Sequence, residues 1–231
     1  MNDKYDINST IEEINNLLIE NSIDTEKRNN YLCNLRDLSH KLLIICGLSG
    51  VGKDTIADEL VKYNSKYKYH IPITTRNERN GESNVRYYFE SVQNFIDKCK
   101  NGDFLFWHYN GLETNGQPKY YGVTYLDLYK DLVNNDLVII TDDVLGTKFF
   151  KSTFPKCMVI LVKPENTEQL EKQIMSRGEQ YVMEFKKRTE YILNFSIDSS
   201  LIDYELINEY NNLSNTLNKI IGFINSKSND E

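Results

Sequence analysis

The sequence has 231 residues, 40% hydrophobic and 26% charged, enough to bury one substantial core with a small appendage. Its formal net charge of −7 disfavours a nucleic-acid backbone as the main partner, although a local basic pocket is compatible with it. No apolar run approaches the roughly 20 residues that span a bilayer.

The four cysteines, Cys33, Cys46, Cys99 and Cys157, match neither a zinc spacing nor a redox CxxC. Cys46 and Cys157 lie in or beside apolar runs, where a free buried thiol is common. The stretch from Met1 to Asp6 is polar, so no secretory signal is expected there. A reducing cytoplasm is the expected compartment.

Residues 1–40 read as a helical extension. Ser9 and Glu12 have the spacing of a capping box, and Ile11, Ile14 and Leu18 follow at helical intervals. A second segment starts at Thr25 and places Tyr31, Leu35 and Leu38 on one face. Two short amphipathic helices cannot bury their stripes alone. They are expected to pack on the main domain, on each other, or on a partner chain such as a second copy.

From residue 42 the pattern changes. Leu42 to Cys46 is a continuous apolar run, as in a strand covered on both faces. A helical pattern follows, with Ile56, Ala57, Leu60 and Val61 apolar. Later apolar runs, 137–140, 158–162 and 204–207, alternate with helical stretches at about 166–176, 182–195 and 212–224. The alternation predicts an α/β fold with a parallel sheet flanked by helices. Residues 41–231 are expected to form one domain. Within it, residues 74–125 are rich in tyrosine, arginine and glycine and read as an inserted substrate-binding subregion. Short strands are expected at 87–89, 104–107 and 119–122, and a helix near 91–100.

Gly47-Leu48-Ser49-Gly50-Val51-Gly52-Lys53 joins the first strand to the first helix of the domain. Glycines let several backbone N–H groups turn inward onto an anion. The lysine adds a cation for the outer phosphates, and the helix that begins here adds its N-terminal dipole. A strand before and a helix after are the context a phosphate loop requires. Gly47, Ser49, Gly50, Val51, Gly52, Lys53, Asp54 and Thr55 are therefore the candidate ATP-binding residues. Asp54 stands where a Mg²⁺-binding hydroxyl is usual, and Thr55 comes next. Either Asp54 is a Mg²⁺ ligand, with Thr55 beside it, or Asp54 only favours the helix N-terminus. Asp142 and Asp143 end the 137–140 run, at the carboxyl end of a core strand. They serve either the metal's hydration shell or a turn.

Thr74-Thr75-Arg76-Asn77-Glu78-Arg79-Asn80-Gly81-Glu82 sets two arginines three residues apart before a glycine turn. Arginine suits bidentate contact with a phosphate, and the hydroxyls of Tyr87 and Tyr121 suit the same oxyanion. With Tyr87-Tyr88-Phe89, Trp107, Tyr120-Tyr121-Gly122, Arg177-Gly178, Arg188 and the stretch 203–208 in this order, residues 41–224 resemble the guanylate kinase family of P-loop kinases.

That resemblance implies an ATP-dependent phosphotransferase that uses Mg²⁺ and moves the γ-phosphate to a small phosphorylated acceptor, foremost a nucleoside monophosphate. It implies that Arg76, Arg79, Glu82, Tyr87 and Tyr121 hold the acceptor. Arg177 and Arg188, in a lid over about 177–188, would close on the transferring group, and Asp143 would sit by the metal or the acceptor. The implied catalytic set is Lys53, Arg76, Arg177, Arg188 and Asp143. Phosphoryl transfer needs positioning and positive charge more than covalent chemistry, so the residue types agree. The chain departs from the family where guanine is read: Phe106 replaces an acid, Val123 a serine, and Pro72 or Ile73 another serine. The string Trp107 to Leu112 followed by Tyr121-Gly122-Val123, with Asp54 in the loop, is also similar to ribose 1,5-bisphosphate phosphokinases. The acceptor thus remains open between these two classes. A catalytically weak protein-interaction module is a third reading, kept open by the N-terminal helices.

Overall fold

The computed structural model describes residues 25–78, 85–175, 197–209 and 212–228. The first elements are α1 (Thr25–Leu38), β1 (Leu42–Gly47), α2 (Lys53–Tyr63), β2 (Tyr67–Tyr69) and β3 (Ile73–Thr74). Then come β4 (Tyr88–Phe89), α3 (Val92–Lys100), β5 (Phe104–Leu112), β6 (Pro118–Thr124) and α4 (Tyr125–Asn134). The rest are β7 (Leu137–Asp142), α5 (Val144–Thr153), β8 (Met158–Pro164), α6 (Thr167–Met175), β9 (Tyr204–Asn208) and α7 (Leu213–Ser228). The chain divides into two compact units. One holds residues 39–69 and those from 135 on, and the other holds α1 with residues 70–134.

The first unit is built around β1, whose six residues are all buried. Its sheet has the order β2-β7-β1-β8-β9, and every neighbouring pair is parallel. Runs such as Leu42 to Ile45, Leu137 to Ile140 and Met158 to Val162 are buried along their length, as both-sided coverage by helices demands. Helix α2 places Ile56, Ala57 and Leu60 in this core. Register fixes what stands at the carboxyl edge. Cys46 lies opposite Asp142 on one side, and Gly47 lies opposite Val162 on the other. The end of β1 and the acids ending β7 are therefore neighbours, which is where ligands bind in open parallel sheets.

The second unit carries a four-stranded sheet of order β4-β3-β6-β5. Here β3 pairs parallel with β4 and antiparallel with β6, and β6 pairs antiparallel with β5. The alternation of side chains along strands separates its two faces. One face holds Ile73 and Tyr120, packed with Val92, Phe95 and Ile96 of α3, and Trp107 and Phe104 lean on this cluster. Phe95 stacks on Phe104 at 4.4 Å and on Tyr120 at 5.2 Å between ring centroids. Directly opposed pairs Phe106–Val123 and His108–Tyr121 occupy the other face. Ser91 caps α3 by accepting from the Asn94 amide at 3.1 Å.

The strands expected at 104–107 and 119–122 form one longer hairpin, closed by the Glu113 amide donating to Gln117 at 2.8 Å. The helix expected from Thr25 is α1, with Leu35 buried and Tyr31 and Leu38 half-buried. The helices expected at 9–18 and 182–195 lie outside the described residues. No described helix is long and apolar enough to cross a membrane.

Candidate active site

The phosphate loop spans the turn from β1 into α2. Gly50 and Gly52 have φ of 87° and 97°, a left-handed backbone that favours glycine. At Gly47 space decides as well, since a Cβ there would lie 2.4 Å from the Val162 carbonyl oxygen. The Lys53 ammonium folds back into the loop and donates to the carbonyls of Gly47 at 2.7 Å and Leu48 at 3.0 Å. Burial lowers its pKa, opposed by the charges of Asp54, Cys46, Asp142 and Asp143. Val51 is buried and anchors the loop, whereas Ser49, Asp54 and Thr55 face solvent.

Three further side chains organise this turn. Asn208, at the end of β9, donates from Nδ2 to the Val51 carbonyl at 2.9 Å, and its own Oδ1 accepts from the Thr216 hydroxyl at 3.1 Å. Gly52 admits that amide, since a Cβ at Gly52 would stand 2.7 Å from Asn208 Nδ2. On β7 the Thr141 hydroxyl donates to Asp54 Oδ1 at 3.0 Å, and the Tyr69 hydroxyl lies 2.9 Å from Thr141 Oγ1. Sequence reasoning did not single out Asn208, Thr141 or Tyr69. The Thr141 contact follows from register alone, because Ile45 on β1 pairs with Thr141 just before the loop.

Asp142, the last residue of β7, and Asp143, which follows it, take different roles. Asp143 caps α5, accepting from the amides of Leu145 at 2.8 Å and Gly146 at 3.3 Å. Asp142 turns its carboxylate onto Gly146, where a Cβ would come within 1.8 Å of Oδ2. It accepts from the Asp143 amide at 2.7 Å. Burial, reinforced by the neighbouring Asp143 charge, pushes Asp142 up to about 7, against the opposing pull of that amide and of Lys53. Among the described residues no group of three or more His, Cys, Asp or Glu is arranged to hold a metal ion. Mg²⁺ bound through one or two carboxylates and substrate phosphates needs no such cage, and Asp54 and Thr55 at the loop's exposed edge fit that mode.

In the other unit Arg76 is buried to 5% exposure. Its guanidinium lies 4.8 Å from the Tyr87 ring centroid and 5.2 Å from that of Phe89. It also donates to the Asn77 carbonyl at 2.9 Å. Tyr87 meets Tyr121 edge-on at 5.7 Å, and Tyr121 stacks on His108 at 5.6 Å. The preceding threonines fix the chain. Thr74 donates to the Tyr120 carbonyl at 2.9 Å, and Thr75 donates to the Pro118 carbonyl at 2.7 Å. The Tyr120 amide returns a bond to the Thr75 hydroxyl at 2.9 Å. Arg76, Tyr87 and Tyr121 are thus brought together. Phe106 lies on the same sheet face, 5.6 Å from His108. Trp107 points to the opposite, α3-packed face. Arg79, Glu82, Arg177 and Arg188 lie outside the described residues.

The guanylate kinase family model matches residues 39–227. A guanylate kinase of Prochlorococcus marinus subsp. pastoris is 32% identical over 188 residues, covering 80% of this chain and 97% of the relative. One from Clostridioides difficile is 31% identical over 189 residues, covering 81% of this chain and 88% of the relative. In fold, the chain is similar to the crystal structure of guanylate kinase from Anaplasma phagocytophilum, with a TM-score of 0.56 at 19% identity over 80% of this chain and 85% of that one. The chain belongs to the guanylate kinase family of ATP- and Mg²⁺-dependent kinases.

Proposed function

We propose that the protein transfers the γ-phosphoryl group of ATP to the phosphate of a nucleoside monophosphate. A phosphate oxygen of the acceptor forms the new P–O bond, and the bond from the γ-phosphorus to the β–γ bridging oxygen breaks. The products are ADP and a nucleoside diphosphate. In this reading the amides from Gly47 to Thr55 and the Lys53 ammonium hold the donor phosphates. Asp54 and Thr55 would hold Mg²⁺, which would supply positive charge to the donor phosphates. Arg76, Arg79, Tyr87 and Tyr121 hold the acceptor phosphate, and Glu82 binds the acceptor away from that phosphate. Arg177 and Arg188 close on the transferring group. Asp143, which caps α5, sits by the metal or the acceptor.

The observation that carries the reading is the buried Arg76 guanidinium held against Tyr87 beside Tyr121. A desolvated arginine over the ring of one tyrosine that meets a second edge-on suits an oxyanion, and the same chain carries a separate phosphate loop. Relatives named guanylate kinase make GMP the first acceptor to examine. Phe106 and Val123 offer no hydrogen-bond acceptor to a base edge, so base selectivity is expected to be weaker than phosphate recognition. The test is a pair of variants. Lys53→Met is expected to abolish turnover, and Arg76→Met to raise the acceptor KM while leaving the ATP KM near its original value. Full activity in either variant contradicts the assignment.

A further inference from the structure

The helix α1 precedes the region matched by the family model, which starts at residue 39. It packs on α4, within the same unit as the acceptor residues. The Tyr31 ring stacks on the Tyr125 ring at 3.6 Å between centroids with planes 15° apart. Leu35 is 1% exposed, and Asn34 hydrogen-bonds the Tyr125 hydroxyl. A 14-residue helix of this composition is marginal alone. Its order therefore derives from this docking.

The partner residue is what gives the docking a consequence. Tyr125 is the first residue of α4 and follows Thr124, the last residue of β6. The junction is tightly held. The Thr124 hydroxyl donates to Asp127 Oδ2 at 2.6 Å, and the Tyr125 amide donates to the Asp103 carbonyl at 3.0 Å. Four residues upstream on the same strand is Tyr121, edge-on to Tyr87 and stacked on His108. Thr124 and Tyr121 lie on one strand, paired with β5 at both positions (Phe104 with Thr124, His108 with Tyr121).

We infer that α1 is a positioning element for the acceptor site: Tyr31 and Leu35 brace the β6–α4 junction and through it set Tyr121. The inference rests on the proposed role of Tyr121 toward the acceptor phosphate. It places the purpose of the extension in acceptor binding rather than in recruiting a partner.

The test uses the full chain with substitutions Tyr31→Ala and Tyr31→Phe. Two readouts are taken: steady-state kinetics with ATP, Mg²⁺ and the best-used monophosphate of a GMP, AMP, CMP and UMP panel, and amide hydrogen exchange over residues 118–128. Tyr31→Ala is expected to speed exchange at 121–126 and to raise the acceptor KM about fivefold, as misplacement of a substrate-positioning group does. The ATP KM is expected to stay within about twofold, since positioning of the donor is untouched. Tyr31→Phe keeps the ring stack and is expected to restore both readouts. An unchanged acceptor KM despite faster exchange overturns the inference, as does an equal rise in both KM values. Unchanged exchange in Tyr31→Ala overturns the brace itself. A wild-type chain that turns over none of the four monophosphates overturns instead the functional reading on which the inference rests.

Discussion

The Thr141 hydroxyl donates to the Asp54 carboxylate at 3.0 Å, tying the end of β7 to the first turn after the phosphate loop. Tyr69 approaches the same hydroxyl at 2.9 Å. A carboxylate beside phosphates is repulsive unless a cation lies between them. The Thr141 bond orients the Asp54 carboxylate that is proposed to hold the metal. Asp54→Asn is expected to weaken the apparent Mg²⁺ affinity at least about tenfold, as loss of a charged ligand does. Titrating Mg²⁺ at fixed ATP measures it. Thr141→Val, which removes the hydroxyl that Asp54 and Tyr69 share, is expected to give a smaller shift of the same sign.

Asn208 holds the loop from the opposite side. Removing its bond to the Val51 carbonyl frees a turn whose φ values are already restrictive. Asn208→Ala is expected to lower stability by about 1 kcal/mol, the net value of one hydrogen bond. It is also expected to raise the ATP KM several-fold with the acceptor KM unchanged. Thermal melting and substrate-saturation curves check the two effects separately.

Asp142 predicts a pH dependence of stability in the metal-free protein. Its carboxyl is pushed from 3.8 up to about 7 by burial and by Asp143. The folded state therefore keeps a proton that the unfolded chain releases near pH 4. The stability this supplies is fully present below that pH and is lost as pH rises through about 7. Asp142→Asn removes the titration. It is expected to be more stable than the parent at pH 8 by about 1–2 kcal/mol, allowing for partial solvent contact, and to differ little at pH 4. Urea unfolding at the two values tests the sign.

The cysteines differ in reactivity for physical reasons. Cys33, on α1, is exposed. Burial pushes Cys99 and Cys157 up to about 12 and raises Cys46 as well. The thiolate is the reactive form. Alkylation at pH 8 is expected to label Cys33 quickly and the other three only on unfolding. Mass spectrometry of the modified peptides reads the outcome.

Much of the core unit was legible because burial on both faces leaves an unbroken apolar run. Leu42 to Cys46, residues 137–140, 158–162 and 204–207 all form strands of one parallel sheet. Three kinds of feature escaped. The helix α4 begins at Tyr125 in a tyrosine-rich stretch that reads as strand or loop, and its buried stripe, Tyr125, Leu128 and Leu132, is short. The helix α5 follows two acids and contains Gly146, a weak helix former kept because Asp142 occupies the space of its Cβ. The two-residue β3 and three-residue β2 are too short to show a period.

At the candidate site, motif spacing marked Lys53, Arg76, Tyr87 and Tyr121. It did not mark Asn208 or Thr141, because their partners are 157 and 87 residues away in the chain. Only register across the sheet brings them to the loop. Trp107 fits the family's motif order along the chain, and the pleat turns it toward α3 and leaves Phe106 and His108 on the Tyr121 face.

The activity proposed for the protein is transfer of phosphate from ATP to a nucleoside monophosphate. Its most direct measurement is ³¹P nuclear magnetic resonance of the protein mixed with ATP, Mg²⁺ and, in parallel, GMP, AMP, CMP, UMP or ribose 1,5-bisphosphate. The expected result is the appearance of ADP together with a nucleoside diphosphate in at least one monophosphate mixture, abolished by Lys53→Met. Turnover of ribose 1,5-bisphosphate alone, or of none of the five despite intact folding, would contradict it.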